Sequence, residues 1–315
     1  MSMILKKCIM SNSTCYKQTK DNVKMTGIVV HDTGCNNVNL SRYVQPCDDD
    51  PDAPFIWTDI GKNKYGNDWN HKERQAGVHA FIGKNAHNVI EVYEVLPYTK
   101  AAWGVGSGKN GSYNFAPSAR IQFEMCADDY TDESYFNDMM KNAQEYCAYL
   151  CQKFLFDPRS RICSHYEAYH EGMGNNHGDC DEWLSKFGKD MNWFRDCVTE
   201  IIAEKTPYIG FNLNDGVMGF FANETEANKT CGVTRIERIG KCHDDIINAH
   251  ESITEDDINE WIADTYNTPV NSVESECKEE KKEEEKGANE ECGGWIFSII
   301  KAIIKFFAQL FANKS

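Results

Sequence analysis

Gly27-Ile28-Val29-Val30-His31-Asp32-Thr33-Gly34 is the stretch whose reading decides the fold. Three β-branched residues follow one another with no polar alternation, the pattern of a strand buried on both faces. The run ends at His31, and Asp32-Thr33-Gly34 starts a turn there. Working outward, Val78 to Ile82, Val89 to Leu96 and Ile121 to Met125 read as further strands, with Pro97 closing the second of these. The best helix spans 133–154. Phe136, Met140, Ala143, Cys147, Leu150 and Phe154 recur at spacings of three and four, and Asp132 and Glu133 suit its positively polarised start. Cys147 and Cys151 on or beside that stripe read as core thiols. A second helix starts after Asp190 and carries Trp193, Phe194, Cys197, Val198 and Ile201, and Thr206-Pro207 ends the region. The polar, Asp/Asn/Pro-rich stretch 45–75 reads largely as surface loop. Residues 1–205 are therefore expected to form one mixed α/β domain.

Composition narrows the class. The 315 residues carry 33 Lys and Arg against 49 Asp and Glu, a net charge of −16, which excludes a general nucleic-acid binder. Aromatics at 12% and hydrophobic residues at 41% exclude a wholly disordered chain. The 14 cysteines contain no CxxC pair, so they read as mostly buried thiols kept in a reducing compartment. Met1 to Met10 lacks the apolar core of a secretory signal, about 7–15 residues long, so synthesis in a cytoplasm is expected.

Beyond Thr206 the chain changes character. Residues 206–268 have room for a small domain of unstated function, in which Thr254 and Asp257 resemble a helix start. The sequons at Asn223 and Asn228 read as accidental. Residues 269–292 form a charged linker; its last 22 residues hold nine Glu and four Lys. Within 293–315, Trp295 to Phe311 is apolar except for a strip of Ser298, Lys301, Lys305 and Gln309. At 1.5 Å per residue that helix is about 25 Å long, short of a bilayer's roughly 30 Å, so it reads as an amphipathic helix for a membrane surface or for self-association.

His31, His79 and His165 each stand beside an apolar strand-like run. A lone histidine at a strand end is more often structural than a ligand, and the repetition weakens that rule without removing it. From His165 to Asp181 the chain adds His170, His177, Asp179, Cys180 and Asp181, a density of donors that suits zinc. A polar surface loop accounts for the same residues.

Taken in order, Gly27-Ile28-Val29-Val30-His31-Asp32-Thr33, Val78-His79-Ala80-Phe81-Ile82, Ala102-Trp103, Ile121-Gln122-Phe123-Glu124 and Cys163-Ser164-His165 resemble successive motifs of one family. It is the zinc-dependent N-acetylmuramoyl-L-alanine amidases of the peptidoglycan-recognition-protein-like fold, and within it the endolysins of clostridial-type phages and prophages. The resemblance covers about residues 25–202. It implies a mixed central β-sheet flanked by helices, with zinc held in a groove. By the same resemblance His31, His165 and Asp179 are metal ligands, with Cys180 and His177 as rivals for the third place. Glu124 matches the catalytic glutamate, which takes a proton from water and returns it to the leaving amine. His177 matches the residue that steadies the oxyanion. His79 and Trp103 are implied substrate contacts. The implied substrate is bacterial peptidoglycan, and the small domain at 206–268 is expected to recognise wall material.

The chain departs from the family in two places. Gly104 stands where a histidine commonly follows the tryptophan, and Gln122 stands where glycine is usual. Two other readings stay open on the sequence: a non-catalytic peptidoglycan-binding module, and a lytic protein acting on membranes through its terminal helix. Arg120 is available to pair with Glu124, which would make that carboxylate structural.

Overall fold

The sheet is built around the apolar run at residues 28–30. In the computed structural model, which describes residues 3–239, β1 is Leu5–Lys7, β2 Ile28–Asp32, β3 Ala80–Lys84, β4 Ile90–Glu94, β5 Ile121–Met125 and β6 Ile162–Ser164. They form one sheet in the order β1-β4-β3-β5-β2-β6, parallel except for the β3–β4 pair. Every residue of β2 and β5 is buried, as continuous apolar strands in the middle of a covered sheet require. The register sets His31 level with Glu124 and Val30 level with Ser164. The carboxyl ends of β2, β5 and β6 thus carry His31, Glu124 and the residue just before His165 on one edge, where open α/β sheets form their sites.

The helices are α1 (Thr14–Gln18), α2 (Ala53–Ile60), α3 (Glu133–Phe154), α4 (Pro158–Arg161), α5 (His165–His170), α6 (Asp179–Lys186), α7 (Met191–Ala203) and α8 (Glu224–Lys229). The bounds of α3 are those expected. The Asp132 carboxylate accepts from the Tyr135 amide at 3.0 Å to cap its start, and Leu155 in the left-handed region ends it. Phe136, Met140, Ala143, Cys147 and Leu150 are all buried against the sheet, and Cys151 joins them. Burying such side chains stabilises by about 1.5–3 kcal/mol each, and that is what holds α3 and α7 on their face.

The stretch 45–75 corrects the expectation of a surface loop. It contains α2, whose Ile56 and Ile60, four residues apart, pack with Leu40, Val44, Trp69 and Phe81 in a second cluster. The Gln45 side chain satisfies polar groups within it: its Nε2 donates to Gly61 O at 3.0 Å, and its Oε1 accepts from Trp57 Nε1 at 3.1 Å.

Beyond α7, β7 (Tyr208–Phe211), β8 (Val217–Phe221) and β9 (Arg235–Arg238) form an antiparallel sheet with β7 central. Ile209, Phe211 and Ile239 belong to the same apolar cluster as α3 and α7. The division drawn at residue 206 therefore marks a change of element within a continuous core. Asn223, in a sequon, caps α8 by accepting from the Glu226 amide at 3.0 Å. The helix start at Thr254, most of the segment 206–268, the linker 269–292 and the terminal segment 293–315 lie outside the described residues.

Candidate metal and catalytic centre

Local structure delivers each donor separately. His31 is the fourth residue of β2 and is almost fully buried. Ser164 ends β6 and caps α5 in a reciprocal capping box with Glu167, which Arg195 holds from α7 at 2.8 and 3.0 Å. This fixes His165 as the first residue of α5, buried. Asp179 opens α6 and is also buried. Its φ of 33° is an uncommon value for a non-glycine residue, and such strain persists only where surrounding contacts hold it.

These three residues converge. Nδ1 of His31 and Nδ1 of His165 each stand 2.7 Å from Asp179 Oδ2, and the donor atoms of the three all lie within 4.8 Å of one another. His177 Nδ1 contacts the other oxygen, Asp179 Oδ1, and its ring stacks on His165 with centroids 5.1 Å apart. Burial alone would raise the Asp179 carboxyl, but hydrogen bonds with His165, His177 and His31 override it and hold the group well below the usual range. His31 is pushed down by burial, against the opposing pull of Asp179. His177 is raised by its bond to Asp179. Two imidazoles and a carboxylate aimed at one point fit zinc, whose sites are built from such donors.

Glu124 stands level with His31 on the next strand and is 7% exposed. Its Oε2 is buried with no hydrogen-bond partner among the described residues. Burial holds this carboxyl well above its usual range; Asp179 and Asp32 push the same way, and Arg74 offsets only part. Arg120 does not pair with it: its guanidinium reaches Cys163 Sγ and Tyr113 Oη, both at 2.9 Å. Asp32, which the sequence reading passed over, lies beside this group. Its carboxylate accepts from Tyr130 Oη at 2.8 Å and from the Gly34 amide at 2.7 Å, and burial pushes it up to about 6. Its position directly after His31 was the available signal.

Two expected residues stand elsewhere. Cys180 is fully buried, with Sγ 3.6 Å from Val30 O and 4.0 Å from Met191 Sδ in the core, and is not among the converging donors. His79 corrects the expectation of substrate contact. It is fully buried, its Nδ1 accepts from the Gln122 amide at 3.0 Å and its Nε2 donates to Lys100 O at 3.0 Å, so neither nitrogen is left for a ligand. Trp103 is half-buried against Cys15, Leu96 and Ala102, with its backbone amide bonded to Gly77 O at 2.7 Å. The next residue, Gly104, lies against His31 and Gln122, so the two departures from the family pattern meet in space.

Part of the chain is also similar to solved proteins. It is similar to the Staphylococcus aureus hydrolase AmiA, solved in complex with its ligand, at 19% identity over 63% of this chain and 82% of that one, with a TM-score of 0.41. For PlyL the values are 15%, 63%, 97% and 0.38, and for the PlyG catalytic domain 16%, 62%, 93% and 0.39. No curated protein sequence matches. The sequence profile of the N-acetylmuramoyl-L-alanine amidases matches residues 21–180, a span that begins before β2 and ends at Asp179-Cys180. That span is just over half of the chain and takes in His31, Glu124, His165 and Asp179 together, and the chain belongs to the N-acetylmuramoyl-L-alanine amidase family.

Proposed function

We propose that the protein is a zinc-dependent amidase that hydrolyses the bond between the lactyl group of N-acetylmuramic acid and L-alanine in bacterial peptidoglycan. The observation that carries this reading is the convergence of His31, His165 and Asp179 beside Glu124, whose buried Oε2 has no hydrogen-bond partner among the described residues. His31 Nδ1, His165 Nδ1 and an Asp179 oxygen would hold the metal. When bound, zinc would polarise the scissile carbonyl and ease the loss of a proton from water.

The chain's own residues do the rest. Glu124 Oε2 takes a proton from the attacking water as the carbon–oxygen bond forms. It then hands that proton to the alanine nitrogen as the carbon–nitrogen bond breaks. A carboxyl already raised by burial is well matched to both transfers. His177, with Nδ1 engaged by Asp179, presents Nε2 as a donor to the carbonyl oxygen as it gains charge. Its side chain is half-exposed, as a group that meets incoming substrate must be.

The biological setting that fits the sequence resemblance is a phage or prophage endolysin, made in the host cytoplasm with reduced thiols and delivered to the wall. Residues 295–311 would add a membrane-surface or self-association contact, which liposome flotation with and without residues 293–315 tests. For the reaction itself, the purified protein should contain zinc and should free L-alanine amino termini from peptidoglycan. Chelation should stop hydrolysis and zinc should restore it. Full activity in verified metal-free protein would overturn the zinc reading, and release of other termini would overturn the bond assignment.

A further inference from the structure

Both candidate histidine ligands turn Nδ1 toward the same point, and that orientation needs a cause. An imidazole that offers Nδ1 to a cation carries its proton on Nε2, and the acceptor of that proton fixes both tautomer and ring angle. His165 Nε2 has one: it stands 3.0 Å from Asn175 Oδ1. His31 Nε2 is buried and has no partner by strict geometry among the described residues, and neither has Gln122 Oε1, also buried. Both atoms border the space beside Gly104, and the Gln122 side chain acts on His31 to favour its protonated form. A Cβ on Gly104 would stand 2.4 Å from Gln122 Oε1 and 3.4 Å from His31 Nε2.

The identity of the Gln122 atom facing His31 follows from a chain of bonds that starts on the backbone. The Val105 amide donates to Asn114 Oδ1 at 3.1 Å, and Asn114 Nδ2 donates to Gly106 O at 3.2 Å, so the Asn114 amide has only one satisfactory orientation. Gln122 Nε2 must then be the atom that donates to Asn114 Oδ1, at 2.9 Å, which turns Oε1 toward the imidazole. Gln122 is fully buried and Asn114 nearly so, so water does not compete for these bonds. The same segment serves the second histidine. Val105 O accepts from the Asn175 amide at 3.0 Å, and a Cβ on Gly106 would stand 2.3 Å from Asn175 Oδ1.

We infer that Gly104-Val105-Gly106 is a clamp that presents two amide oxygens, Gln122 Oε1 to His31 and Asn175 Oδ1 to His165, making Gln122 and Asn175 positioning residues for the metal ligands. Each glycine leaves room for one oxygen; between them the Val105 amide holds Asn114, which orients Gln122, and the Val105 carbonyl holds the backbone of Asn175. The inference rests on the reading of His31 and His165 as zinc ligands through Nδ1.

Zinc affinity of the full chain, measured by competition with a chromophoric chelator, is the test. Gln122→Met keeps the bulk and removes the acceptor, and should weaken zinc binding about tenfold to a hundredfold. Asn175→Ala should weaken it less, because Asn175 is exposed and water can replace its oxygen. Gly104→Ala should match Gln122→Met by displacing Oε1, and the double variant should be no weaker than either alone. In zinc-loaded, nitrogen-15-labelled protein the His31 Nε2 proton should exchange slowly. It should become exposed to exchange in Gln122→Met while that of His165 is unmoved, a selectivity that general loosening would not give. Unchanged affinity in both Gln122→Met and Gly104→Ala, or fully additive losses, would overturn the clamp while leaving the zinc reading intact. If Gln122→Met does not fold, Gly104→Ala alone decides. A wild-type chain that binds no zinc would overturn both readings.

Discussion

His31 on β2 and His79 just before β3 stand two levels apart on either side of β5, and both are buried, yet one faces a donor cluster and the other is sealed in backbone. His31 lies near the carboxyl end of β2, where parallel strands open onto a site, and its Nδ1 meets Asp179. His79 lies just before β3, level with Gln122, with both nitrogens used by main-chain groups. Its carbonyl also accepts from the Val95 amide at 2.7 Å. The difference teaches that burial and residue type do not make a ligand. What matters is whether the strand's end leaves a ring nitrogen without a backbone partner.

The comparison makes predictions of decreasing size. The largest effect belongs to the converging donors: His31→Ala or Asp179→Ala should weaken zinc binding by more than the roughly hundredfold ceiling of outer-shell changes, read by chelator competition. His79→Ala should leave affinity near wild type in the folded fraction, and comparable zinc loss there would erase the distinction between the two histidines. Next, Glu124→Gln keeps the shape of the side chain but cannot take a proton, and should lower turnover by about a hundredfold to ten-thousandfold with zinc content unchanged. Retained turnover would remove Glu124 from its assigned role.

His79→Ala should instead cost stability, about 3 kcal/mol for two buried hydrogen bonds and the cavity left behind. Denaturant unfolding measures this, and a raised KM with unchanged stability would restore His79 as a substrate contact. Its titration gives a signed effect of comparable size. Burial pushes His79 down to about 4 from an ordinary 6.5, so the folded state excludes a proton that the unfolded state takes up below pH 6.5. Its contribution is complete above pH 6.5 and is lost as pH falls toward 4, at about 1.4 kcal/mol per pH unit. The stability difference between wild type and His79→Gln should therefore narrow over that window and stay flat above it. The smallest effect is expected for Cys180→Ser, which should keep zinc and cost on the order of 1 kcal/mol, because its thiol faces Val30 O and Met191 in the core. Loss of zinc in that variant would reinstate Cys180 as a ligand.

Local pattern carried much of the fold. The helix at 133–154 was legible to the residue because its apolar stripe, its capping Asp132 and its core thiols all reported the same surface. The strand at 121–125 was equally clear, because its residues are buried on both faces. The helix at 53–60 was hidden: its two buried isoleucines sit among Asp, Asn and Pro residues, and nothing local announces that Trp69 and Phe81 will cover them. In the candidate site, the sequence order of motifs was enough to nominate His31, His165, Asp179 and Glu124. It was silent on Asn175 and Asp32, and on the use of Gln122, since each matters through a partner far away in the chain.

What the sequence by itself determined is the set of elements and the order of the family's motifs along the chain, because those depend on periodicity, capping and residue type within a few turns or one strand. Only the tertiary structure decided which nitrogen of each histidine faces the cluster, that Cys180 points into the core, and that Gly104 and Gln122 fit against each other. Those outcomes depend on strand register and on where backbone donors and acceptors remain after the sheet has formed, quantities that exist only once residues as distant as His31 and Asp179 have met.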